Sequence, residues 1–311
     1  MELNKRNTLI LSAAQGLSIT TTNINMINTG LVGTNLSANS ALATLPLSIQ
    51  FLTIALSLIP VSLLMGKFGR RPMFLSGAFS AFIGCLIIAF SIYDRSFLLF
   101  IIGSVLLGIS QANQQFYRYA AADNVSTNLK SKAISLVLAG GLIAAFIGPE
   151  ISKYSFDFFP DYIYLASYLL AALIQIINFV ILIFIKIDKP PPNKNLARPL
   201  SNILVQKNLM IAILAAAVGY SLMSFIMTAT PLQIVNVCKL GDEVSATVIQ
   251  WHVIAMFAPS FFTGFIIMKF GNKNVMLVGV LLYVISISFT IIGQTFLNFW
   301  ISLFLCGLGW N

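Results

Sequence analysis

The stretch GKFGRRPMFLSG at residues 66–77 returns 202 positions later as MKFGNKNVMLVG at 268–279. In both copies Lys-Phe-Gly closes one apolar run and a second apolar run begins at once. Glycine permits the tight turn that two antiparallel helices need at such a junction. The shorter strings LLGI (106–109) and LCGL (305–308) recur at nearly the same offset. Apolar segments resemble one another by chance, yet here K-F-G falls at the same point between two helices in each copy. The reading is a parallel internal repeat, as in folds built from two similar helical halves.

Composition identifies the solvent around that repeat. Of the 311 residues, 58% are hydrophobic and 9% charged, with a mean hydropathy of +0.91. A soluble domain carries roughly 25% charged residues because its surface faces water. Lipid is the alternative, and there a lone spanning segment must satisfy its own backbone as a helix. Alternating polar and apolar strands are absent, which argues against a membrane barrel. Apolar runs at about 8–32, 42–65, 73–92, 98–120, 131–152, 163–185, 208–230, 245–268, 275–293 and 298–311 predict ten membrane helices. The fold class is therefore an all-α membrane protein.

The net charge of +9 would raise nucleic-acid binding in a soluble protein. Here the cations sit between spans and report topology. With the N-terminus in the cytoplasm, 15 Lys and Arg lie at inner loops and 3 (Arg95, Lys153, Lys239) at outer ones. The longest inner loop, 186–207, is basic and proline-rich, so it reads as an extended tether. It separates a six-helix bundle (1–185) from about four helices (208–311). The last run, 298–311, has 14 residues against the ~20 needed to cross. The simplest reading is a chain that stops inside its tenth helix, with two helices of the second half missing.

The loop at 62–71, SLLMGKFGRR, resembles the major facilitator superfamily motif G-x-x-x-D-R-x-G-R-R. Lys67, Gly69, Arg70 and Arg71 match it, whereas Ser62 and Gly66 stand where the leading Gly and the Asp belong. Gly264 restores the leading glycine in the second copy, and Met268 again replaces the acid. Helix five offers Gly140, Gly141, Gly148 and Pro149, part of a small-residue and Gly-Pro pattern in that family. Such residues let helices approach closely and bend. FYRYAAAD (116–123), MTATPL (227–232) and IQWHVIAMFAPSFFTG (249–264) are similar to a bacterial branch, some members of which are described as riboflavin transporters.

The resemblance implies a two-bundle fold with about 10 of 12 helices present, in a bacterial inner membrane. It also implies alternating-access transport of a small solute through a path between the halves. In the family the missing Asp helps latch the halves on the inside, and Asp123 is the candidate to substitute. An Arg early in helix four, associated with proton coupling, is replaced by Gly103 and Ser104. The coupling ion, proton or sodium, stays open.

Polar residues at membrane depth supply the candidate path, because a polar stripe cannot face lipid cheaply. In helix one, Gln15, Ser18, Thr22, Asn25 and Thr29 follow at spacings of 3, 4, 3 and 4. Helix four repeats the pattern with Ser104, Gly108, Gln111, Gln115 and Arg118. Helix seven presents Ser221, Ser224 and Thr228, with Tyr220 beside them. The resemblance implies that the stripes of helices one and seven face each other. Each stripe could instead be interhelical packing. Arg118 has three readings: snorkelling to headgroups, an ion pair with Asp123, or solute contact. His252, the one histidine, is either a proton-coupling group or a neutral packing residue. Trp251 either stacks on a flat solute or anchors its helix near the interface.

Three odd, distant cysteines give neither a disulfide framework nor a metal site, and no metal or cofactor is expected. No G-x-x-x-x-G-K-[ST] motif supports ATP hydrolysis. An enzyme acting on lipids would need clustered carboxylates or histidines, which the spans lack. A transporter of a polar organic solute is the leading reading, and a non-transporting sensor or assembly protein of the same fold is the alternative.

Overall fold

A computed structural model describes residues 5–123, 125, 129–187 and 205–311. Most of the proline-rich tether, from 188 to 204, lies outside them. The described chain is helical throughout: α1 (Lys5–Leu36), α2 (Leu45–Phe68), α3 (Arg70–Tyr93), α4 (Phe97–Gln114), α5 (Tyr117–Asp123), α6 (Lys130–Ser155), α7 (Leu165–Ile183), α8 (Lys207–Leu232), α9 (Asp242–Phe257), α10 (Ser260–Phe270), α11 (Asn272–Ile292) and α12 (Phe296–Trp310). Helices α4 and α5 make one span of 27 residues, and α9 with the first turn of α10 makes another of 22, to Thr263. The joint between α9 and α10 falls at Pro259, whose ring cannot continue the ladder.

Among the described residues, eight helices are long and apolar enough to cross a membrane. The first expected span is not one of these, although α1 is 32 residues long. Its polarity explains this. Thr20, Thr21, Asn23, Asn25, Asn28 and Thr29 are all buried, so α1 is wrapped by protein rather than by lipid. Helix α6 covers one side of it at close range. A Cβ on Gly140 would meet the Ser12 carbonyl oxygen at 2.1 Å, and one on Gly148 would meet Asn23 Cβ at 2.7 Å. Gly141 sits against Ile19 and Phe257, so a third helix closes on the same spot. Pro149 follows within α6.

The two K-F-G junctions fold alike. Gly69 has φ 93° and ψ 165°, and its N–H donates to the Met65 carbonyl at 2.9 Å. Gly271 has φ 77° and ψ 154° and donates to Ile267 at 2.8 Å. Both torsion pairs lie where side chains other than glycine are strained. Packing repeats as well. Gly108 lies on the backbone of Gln50 in α2, and Gly307 lies on the backbone of His252 in α9. Likewise α3 meets α4 through Gly84 and Gly103, and α11 meets α12 through Ser286 and Ser302.

Burial is uneven among the spans. Half of the most apolar window of the α4–α5 span is buried, but only 11% of the corresponding windows of α8 and α11.

Candidate transport pathway

The polar side chains of α1 are gathered into a network inside the first half. Asn25 is its hub: Nδ2 donates to Gln50 Oε1 at 2.8 Å, and Oδ1 accepts from Thr29 at 2.9 Å and from the Tyr168 hydroxyl at 3.1 Å. One turn away, Asn178 donates to Ser18 Oγ at 3.0 Å and to Gln175 Oε1 at 3.1 Å, while Gln175 donates to Thr21 at 2.7 Å. Gln111 of α4 donates to Thr22 at 2.9 Å. The space among Ser18, Thr22, Asn25, Gln111 and Gln175 is about 10 Å3, room for roughly one water. Gln15 is buried nearby with its Oε1 unpartnered.

A second, larger space lies elsewhere. It measures about 590 Å3 and is walled by Phe51, Ile54, Ala55 and Leu58 of α2, Gln115, Phe116, Arg118 and Tyr119 at the α4–α5 joint, and Tyr220, Ser221 and Ser224 of α8. Phe51 and Tyr220 meet edge to face across it, with centroids 6.2 Å apart. Ser224 Oγ is buried without a partner. The structure therefore brings Gln115, Arg118, Tyr220, Ser221 and Ser224 together. It separates them from Gln15, Ser18, Thr22, Asn25 and Gln111. The expected facing of the first and seventh stripes is not seen, because the α1 amides have found partners on α2, α4 and α7. Thr228 lines neither space.

Around the basic loop, Asp123 forms an ion pair with Arg70 within the first half. That corrects two expectations at once. Among the described residues Asp123 pairs with no group of the second half, and it is not the partner of Arg118. Arg118 instead lies over the Tyr119 ring, 5.0 Å from its centroid, with a long 3.4 Å bond to Gln115 Oε1. Arg71 donates to the Ile183 carbonyl at the exposed end of α7 at 2.7 Å, and Arg70 to the Phe116 carbonyl at the α4–α5 joint at 3.3 Å. Lys67 is exposed beside Phe68.

His252 is fully buried against α12, away from both spaces. Its Nδ1 lies 2.7 Å from the Leu303 carbonyl oxygen. A carbonyl only accepts, so the proton sits on Nδ1 and Nε2 is left without a partner. Trp251 packs outward against Trp300 and Phe304, at centroid distances of 5.7 and 6.3 Å.

Residues before 187 meet residues after 205 through four polar contacts among those described, all at the end opposite the K-F-G junctions. Tyr164 donates to Asp242, Gln250 to Glu150 at 3.2 Å and Asn236 to Thr34 at 3.4 Å, and Lys153 lies 3.8 Å from Glu243. Tyr164 holds a left-handed backbone, φ 72°, at the entry to α7. Burial and then the neighbouring Asp242 push its hydroxyl pKa well above the ordinary phenol value. None of these cross-contacts was read from the sequence. Gln175 and Asn178 left a signal, two amides three residues apart in an apolar helix, whereas Tyr164 and Phe51 left none.

Helices of membrane length around a solute-sized cleft, with the polar contacts between the halves gathered at one end among the described residues, define a multi-pass membrane transporter. The sequence profile of the Major Facilitator Superfamily matches residues 9–311, and the chain belongs to that family. It is 36% identical to the riboflavin transporter RfnT of Brucella anthropi, over 99% of this chain and 78% of that protein. It is 26% identical to the uncharacterized MFS-type transporter YdeG of Bacillus subtilis, over 99% of this chain and 76% of that protein. These matches identify a transporter of a small polar solute rather than an enzyme.

Proposed function

We propose that the chain carries a flat, uncharged heterocycle of the riboflavin type across a bacterial inner membrane by alternating access. The observation that carries this reading is the 590 Å3 cleft between α2, α4–α5 and α8. Its size suits a drug-sized ligand. Phe51, Tyr119 and Tyr220 offer ring faces and edges to an aromatic solute. The likeness to a riboflavin transporter supports the same choice.

The cation bias of the loops supports a cytoplasmic side for the K-F-G junctions and the N-terminus. The cleft then opens inward and the four cross-contacts seal the outer side. We assign residues 1–185 and 208–311 to two bundles joined by the tether 186–207, with the solute moving between them. The coupling ion is a proton or sodium, or transport is facilitated by the solute gradient alone.

Uptake of riboflavin into proteoliposomes, followed by its fluorescence, tests the substrate. Repeating it with imposed pH and sodium gradients separates the coupling schemes. Uptake of riboflavin above that of protein-free vesicles is the expected outcome. Flux of another solute with none of riboflavin would overturn the substrate assignment.

A further inference from the structure

Resting on that reading, we propose that Arg118 selects the solute by donating to an oxygen-bearing edge of its ring. Among the described residues Arg118 is the one cation in the wall of the cleft, and no carboxylate lines it. A guanidinium in the membrane is costly unless something uses it. Among the described residues it makes no ion pair, because the nearby carboxylate of Asp123 is taken by Arg70. Five donors project from the fork. One reaches Gln115 at 3.4 Å, and Nε is buried without an acceptor.

An unsatisfied buried donor destabilises whatever state contains it, and Nε of Arg118 is such a donor. Tyr119 supports the guanidinium from one side, which leaves it poised to turn toward the cleft. Ser224, across the cleft on α8, carries a second unpartnered polar atom. A tricyclic ring bearing a pyrimidine-dione edge supplies carbonyl oxygens for the first and polar atoms for the second. The aromatic side chains between them take the apolar remainder. A lipid phosphate is the other source of acceptors for Arg118, and the experiment separates the two.

The full chain in nanodiscs is titrated with riboflavin and with phenazine, a three-ring compound that lacks the dione. Wild type, R118Q, R118K and S224A are compared, each checked for monodisperse elution. Wild type should favour riboflavin. R118Q should weaken riboflavin about tenfold and leave phenazine unchanged, the loss expected of a hydrogen bond from a charged donor. R118K, which keeps the charge but loses the fork, should fall between. These ratios should not depend on whether the disc contains anionic lipid.

An unchanged riboflavin-to-phenazine ratio in R118Q and R118K overturns the inference. So does an effect seen only with anionic lipid, which would assign Arg118 to headgroups. If wild type binds no riboflavin at all, the substrate reading falls and takes this inference with it.

Discussion

The polar side chains of α1 and those of α8 look alike in sequence, yet they do opposite things. Around α1, amides and hydroxyls from four helices bond mostly to one another and leave room for about one water. Along α8, Tyr220, Ser221 and Ser224 face an open cleft of about 590 Å3. A polar residue in a membrane must avoid lipid, but it can do so by locking helices together or by lining a passage. The difference lies in the partners. Asn25 has Gln50, Thr29 and Tyr168 within reach, and Ser224 has none.

That contrast sets the order of expected effects. Asn25→Leu should be the most damaging change, because it strands Gln50 and Tyr168 in a buried site. A loss of about 3 kcal/mol in stability follows from breaking a buried network, and a thermal unfolding scan of the detergent-solubilised chain would read it. If Asn25→Leu were neutral for stability yet abolished binding, the network would belong to the pathway after all. Tyr220→Ala should do the reverse, weakening riboflavin binding about tenfold through lost ring contact while unfolding barely moves. Loss of stability without loss of binding would erase the distinction between the two regions.

The outer contacts extend the comparison to the seal. Tyr164→Phe removes a hydrogen bond to a carboxylate, worth about 1.5–3 kcal/mol, and should raise the outward-open population about tenfold. Accessibility of Cys238, at that end of the chain, to an impermeant maleimide would report it after removal of the other thiols. The same contact should withstand alkali. Because its pKa is raised, the folded Tyr164 keeps its proton where an unfolded phenol loses it. The contact therefore persists as pH climbs to about 9, below the ordinary phenol pKa, and its contribution to stability falls only above that. The thiolate is the reactive form, so the rate is taken relative to that of the unfolded chain at each pH; a ratio that changed between neutral pH and about pH 9 would remove Tyr164 from the seal. The smallest effect is expected at Thr228, which touches neither space, where Thr228→Val should leave binding within twofold.

Fold and site were unequally legible in the sequence. Hydropathy located the spans because lipid imposes one rule on every helix that touches it. Gly69 and Gly271 revealed the repeat because both junctions require a backbone that only glycine takes easily. The role of α1 was harder. A period of 3 and 4 shows that Gln15, Ser18, Thr22 and Asn25 share a face, but not what faces them. Polar residues off that stripe, Thr21, Asn23 and Asn28, marked α1 as buried all round, and that was the usable signal. The family resemblance makes Asp123, near the inner end of helix four, a candidate latch between the halves. Its actual partner, Arg70, depended on how the α4–α5 joint bends back toward the basic loop. Cross-contacts such as Tyr164 with Asp242 join residues 78 apart in sequence, and nothing local encodes them.

The central claim is that solute passes through the cleft beside α8 and not through the α1 network. Ser221→Cys, in a chain with its native thiols replaced by serine, places one reactive group on the cleft wall. Labelling by an impermeant maleimide from the side of the K-F-G junctions should be rapid, and saturating riboflavin should slow it severalfold. Rapid labelling that riboflavin leaves untouched would contradict the account.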